Sequence, residues 1–137
     1  MANTNIFVNL PVQDLDRSKE FYSRLGFTQN EQFSDENAAC FVIEENSIYV
    51  MLLVKPFFAK FTDKELADTE RTAAVITALS ADTRQGVDDL ADRALAAGGK
   101  HSKDPMEEGP MYGRSFQDPD GHLWEVMWMD PAALQNG

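Results

Sequence analysis

The sequence predicts an α+β fold: two tandem βαβββ modules that form a curved mixed sheet around a concave cavity. Three observations predict it. Strand-like and helix-like segments come in the order β-α-β-β-β twice along the chain. Each helical segment follows an apolar strand, one ending in LPV and the other in LSA. The chain closes on DPDGHLWEVMW, a tight turn feeding an aromatic strand. A sheet with one helix on one face leaves its other face needing cover, and two such modules side by side enclose a hollow.

The elements follow in order. Residues 6–12, IFVNLPV, form a short apolar strand, with Pro11 placing it at an edge or near its end. Asp14 caps a helix over 15–25, whose Leu15, Ser18, Phe21, Tyr22 and Leu25 recur at helical spacing before the stop at Gly26. Segments 27–33, 38–43 and 47–54 read as strands, separated by the turns SDEN and EEN. Residues 55–72 break the pattern, mixing charges with Phe57, Phe58 and Phe61. Thr62 or Asp63 can cap a short helix through residue 69. This connector either folds over a pocket mouth or runs as a surface linker with its aromatics in the core.

The order then restarts. Residues 73–81 read as a strand, and Asp82 with Gln85 has the shape of a capping box. Val87, Leu90, Ala91, Ala94 and Leu95 stripe a helix that ends at Gly98-Gly99. A strand near 100–102, a loop at 104–110 and a strand at 111–117 lead to the closing turn. There Pro119 and Gly121 set the corners, and 123–128 is the last strand. Period 2 puts Leu123, Glu125 and Met127 on one face and Trp124, Val126 and Trp128 on the other. Both faces are apolar apart from Glu125, which predicts cover on both sides. The modules span about 5–54 and 73–129, joined by the connector into a single domain of 137 residues.

Composition narrows the partners. Hydrophobic residues make up 43% of the chain, enough for a core. A net charge of −11 argues against nucleic acid and anionic membrane surfaces, and permits a cationic ligand. Cys40 is the one cysteine, so no internal disulfide forms, and a reducing compartment fits. The sequence opens without a basic segment followed by a long apolar core. No signal peptide is therefore expected, and the cytoplasm is the expected location.

NLPVQDLDRSKEFYSRLGF near the start and FQDPDGHLWEVMW near the end resemble the vicinal oxygen chelate superfamily of glyoxalase I, bleomycin resistance proteins and extradiol dioxygenases. The resemblance spans essentially the whole chain. It implies the glyoxalase/bleomycin resistance/dioxygenase fold and a homodimer whose partner completes each groove. It also implies, in the metal-binding members, four His, Glu or Gln ligands from the first and last strands of each module. The matching positions here are Phe7, Ile76, Val50 (or Met51 one register on) and Glu125. Only Glu125 is of a ligand type, and one carboxylate does not hold a hard divalent ion. No cofactor and no metal site are expected.

Asn9, Ser80 and Ser115 face the cavity by strand parity and can hydrogen-bond a ligand, with Met127 beside Glu125. Glu125 can serve as a structural residue, as counter-charge to a cation, or as a general base, since a carboxylate withdrawn from water holds a proton more readily. His101 and His122 read as solvated surface imidazoles, and Arg114 as a surface partner for an acid. Tyr112, Trp124 and Trp128 read as core or interface residues that can also stack on a ligand.

The expected function is metal-free binding of a small molecule, cationic or aromatic, as in the drug-sequestering branch. The alternatives are a metal-dependent lyase or dioxygenase of the glyoxalase type, or a metal-independent enzyme using Glu125 as base.

Overall fold

The computed structural model describes residues 4–135. It divides into two units, one ending at Asp68 and the other beginning at Thr69. Each builds an open mixed sheet with a helix on one face, so the α+β class and the doubled module are both present.

The first unit contains β1 (Ile6–Val12), α1 (Leu15–Arg24), β2 (Thr28–Asn30), β3 (Ala38–Glu44), β4 (Ile48–Val54) and the short α2 (Lys55–Phe58). The sheet order is β1-β4-β3-β2, with β1 parallel to β4 and the other pairs antiparallel. Asp14 caps α1 as expected, its carboxylate accepting from the Arg17 amide at 3.1 Å. Leu15, Ser18, Phe21 and Tyr22 form the buried face of α1, and Tyr22 lies 6.1 Å from the Phe41 ring of β3.

Two expectations fail in this unit. The strand predicted over 27–33 stops at Asn30, because the Asn30 side chain accepts from the Gln32 amide and winds Glu31–Phe33 into a 3₁₀ turn. The helix predicted from Thr62 or Asp63 is absent. Helical structure comes earlier, at α2 and a 3₁₀ turn over Ala59–Phe61, where Pro56 is pre-set for a first helical turn. The Thr62 hydroxyl caps only a local turn, accepting from the Lys64 amide at 3.0 Å.

The second unit contains β5 (Ile76–Ser80), α3 (Arg84–Ala96), β6 (Lys100–His101), β7 (Met106–Glu108), β8 (Met111–Gln117), β9 (Leu123–Met129) and α4 (Pro131–Gln135). Its sheet order is β5-β9-β8-β6, with β7 also paired to β8. As in the first unit, the first strand runs parallel to the last. β5 starts at Ile76, not at residue 73, because its partner begins only at Leu123. The expected capping box is not formed. Thr83 is the cap, accepting from the Gly86 amide at 2.9 Å, and Gln85 turns to Asp89. Part of the expected 104–110 loop is β7, folded back onto β8 by a corner at Gly109, φ 58°.

Val87 and Ala91 of α3 pack on Tyr112 of β8 and Val126 of β9, with Ala81, Leu90 and Trp128 around them. A polar lock reinforces this face. Arg114 reaches Asp88 at 3.1 Å and Asp92 at 2.8 Å, and the Tyr112 hydroxyl donates to Asp88 at 2.5 Å. Arg84 lies 3.8 Å above the Tyr112 ring and pairs with Glu107. Arg114 is therefore a partner for acids, as predicted, but a largely buried one, its side chain 18% exposed. The Tyr112 hydrogen bond, then the Arg114 guanidinium against the opposing effect of burial, holds Asp88 below the ordinary carboxylate range. The same bond pushes Tyr112 above the usual phenol range.

The closing turn is clasped from both ends. The Asp118 carboxylate accepts from the Asp120 and His122 amides at 2.9 Å each. The Thr69 hydroxyl donates to the Asp120 carbonyl at 2.7 Å. His122 is buried, not solvated as expected, since this turn folds into the unit with Asp118 and Asp120. His101 is exposed, 3.4 Å from Asp104. Gly121 has φ 87°, and a Cβ there would lie 2.4 Å from the Thr69 carbonyl oxygen.

Gly121→Ala is expected to lower the thermal midpoint sharply. The left-handed backbone alone costs about 1–3 kcal/mol, and the clash with Thr69 adds to it. Differential scanning calorimetry checks this, and a midpoint within a degree of the parent contradicts it. A second prediction concerns acid. Because the folded-state value of Asp88 is depressed, its contribution is complete above the ordinary carboxylate range and is lost as pH falls through the folded value. Asp88→Asn should flatten the acid limb of the urea midpoint plotted against pH, and an unchanged limb would count against the lock.

Candidate functional site

With α3 covering one side of the second sheet, the other side is open. Residues paired across strands share a face, so Ala78, Glu125 and Ser115 stand in one row. Ser80, Met127, Gly113 and Met106 make the next row. A cavity of about 590 Å³ lies over this face, lined by Ile76, Met106, Gly113, Ser115, Glu125 and Met127. That volume suits a drug-sized ligand. Lys103, Asp104, Glu107, Glu108 and Arg114 also line it.

Of the residues chosen by parity, Ile76, Ser115, Glu125 and Met127 come together in this cavity. Ser80 shares the face, exposed opposite Met127, but does not line the cavity. The Ser115 hydroxyl is committed: it accepts from the Lys103 amide at 2.9 Å and donates to the Lys103 carbonyl at 3.3 Å. The predicted cover on both sides of β9 is only half realised. Trp124 and Val126 are buried under α3, whereas Leu123, Glu125 and Met127 are half-buried on the open face.

Phe7, Asn9 and Val50 belong to the first unit. Val50 does not face the open side. It is fully buried between Val8 and Phe41 on the helix-covered side, and Met51 takes the open position opposite Asn9. The strand IYVMLLV has no polar residue to set its phase, so the register was open by one. Phe7 is half exposed and stacks on Tyr49 at 4.7 Å. The Asn9 amide donates to the Phe7 carbonyl at 3.1 Å. Asn9 also lines a smaller recess of about 390 Å³ with Leu53, Phe58, Phe61 and Thr62. The first part of the connector therefore folds over this recess.

The donor set does not suit a divalent ion. Phe7, Met51 and Ile76 offer no hard donor, and the row neighbours of Glu125 are Ala78 and the committed Ser115. Among the described residues no three His, Cys, Asp or Glu side chains converge. Sequence reasoning missed Gly113 and Met106. Gly113 is a glycine inside a strand, a signal of close approach. Met106 was concealed in a segment read as loop.

Residues 6–126 match the model of the Glyoxalase/Bleomycin resistance protein/Dioxygenase superfamily. The fold and the match together place the chain: it belongs to that superfamily. It is 30% identical to a hypothetical protein from S. aureus, over 93% of this chain and 94% of the other, with a TM-score of 0.77. A glyoxalase-related enzyme from Fulvimarina pelagi is 19% identical, with 93% and 88% covered and a TM-score of 0.78. A bleomycin resistance determinant encoded on the transposon Tn5 is 18% identical, with 93% and 98% covered and a TM-score of 0.65. The last two likenesses are of fold alone. No curated protein matches the chain. Among the described residues, no helix is long and apolar enough to cross a membrane.

Proposed function

We propose that this protein binds a small organic cation, without a metal, in the cavity on the open face of its second unit. One observation carries the reading: Glu125 stands beside Ile76, Gly113 and Met127 in a cavity whose lining has four carboxylates, Asp104, Glu107, Glu108 and Glu125, to two cations, Lys103 and Arg114. The apolar neighbours bury an apolar body, and Glu125 supplies one counter-charge. Asp104 and Glu108 in the same lining add attraction, which Lys103 partly offsets. Arg114 also contributes to the lining, but its guanidinium is paired with Asp88 and Asp92.

Fluorescence titration with 9-aminoacridine, a fused-ring aromatic cation, tests this. Saturable one-to-one binding is expected, unaffected by chelator. Glu125→Gln should weaken it about tenfold, or about 1.4 kcal/mol. Binding that ignores the Glu125 substitution, or needs an added divalent ion, overturns the proposal.

The protein is further proposed to act as a homodimer. Ile6 and Phe7 on β1, and Val75 and Ile76 at the start of β5, are each at least half exposed. Both strands end their sheets, and apolar residues gathered at such edges favour a second protein surface. Analytical ultracentrifugation at micromolar concentration should give twice the chain mass, and Phe7→Glu with Ile76→Glu should halve it. A monomeric parent protein refutes the dimer.

A further inference from the structure

Gly113 is the one glycine of β8, and it lies between two methionines. In register, Met106 of β7 is on one side and Met127 of β9 on the other, all three on the open face. Gly113 has no positive φ, so backbone conformation does not demand a glycine here. Space does. A Cβ built on Gly113 would stand 3.3 Å from Met127 Cγ and 3.5 Å from Met127 Cε. The Met127 side chain therefore lies flat across the notch that the missing side chain leaves. It forms a floor of thioether and peptide backbone under the cavity.

We infer that Gly113 sets the depth of the binding cavity by letting Met127 lie down, and that the floor so made selects a flat, fused-ring cation over a single-ring one. The inference rests on the binding proposed above. A thioether over a peptide plane is low, polarizable and suited to the face or edge of an aromatic ring. Glu125 is two residues along the same strand face, about 7 Å from Met127 at strand rise. A fused ring system is broad enough to cover the Met127 floor while its rim meets Glu125, whereas a single-ring cation held at Glu125 leaves that floor uncovered. A Cβ at Gly113 crowds Met127 Cγ and the Val126 carbonyl oxygen, so the Met127 side chain must shift from its place across the notch.

Two probes separate the ideas. The fused-ring 9-aminoacridine and the single-ring benzyltrimethylammonium are titrated by calorimetry against the parent chain, Gly113→Ala and Met127→Ile. The isoleucine is β-branched and stiff, so it does not lie across the notch as the unbranched methionine does. Each variant should weaken 9-aminoacridine at least threefold more than it weakens benzyltrimethylammonium. Circular dichroism confirms the fold, and if Gly113→Ala does not fold the same ratio is read from Met127→Ile. A parent chain that binds neither probe removes the binding proposal itself. A parent that binds, with variants that weaken both probes equally or neither, overturns the inference alone.

Discussion

Each sheet in this chain has a single covering helix, and that constraint governs the rest. The first strand of each module lies parallel to the last, so the chain must cross over between them, and α1 and α3 lie on that crossover face. There the helix buries Phe41, Val50 and Leu52 in one unit, and Phe116, Trp124 and Val126 in the other. Burial of that kind is the main favourable term in folding. The opposite face receives no helix of that length and is left for something other than the module's own core.

What collects on the two faces differs accordingly. Under α3 the charges are matched: Arg114 meets Asp88 and Asp92, and Tyr112 completes the set. Over the open side acids outnumber bases in the cavity lining, and Glu125 stands among apolar neighbours. The first unit partly closes its own open face with α2 and the turn after it, where Phe57 and Phe61 pack edge to face at 5.2 Å. The two faces therefore have different chemistry even though the modules repeat the same order.

Much of this was legible in the residues. The limits of β8 were read correctly because Pro110 and the Asp118-Pro119 corner bracket it, and Asp14 was recognisable as a cap. Alternation alone placed Ser115, Glu125 and Met127 on a common side. Other features were not legible, for physical reasons. Thr83 and Asp82 are both good caps, and one residue of chain direction decided between them. The segment Met106–Glu108 has no apolar rhythm, so its pairing with β8 is set by tertiary contact. Val50 and Met51 were interchangeable until the partner strands fixed the phase. His122 was buried by the clasp between Thr69 and the closing turn, a contact spanning much of the unit.

Strand β8 divides its labour by parity. Its even-numbered side chains, Tyr112, Arg114 and Phe116, fasten the helix, and its odd-numbered positions, Gly113 and Ser115, look onto the hollow. A change at an odd position bears first on the shape of the hollow, and a change at an even one on the grip of the helix, so recognition and anchorage are wired to opposite sides of one stretch of backbone.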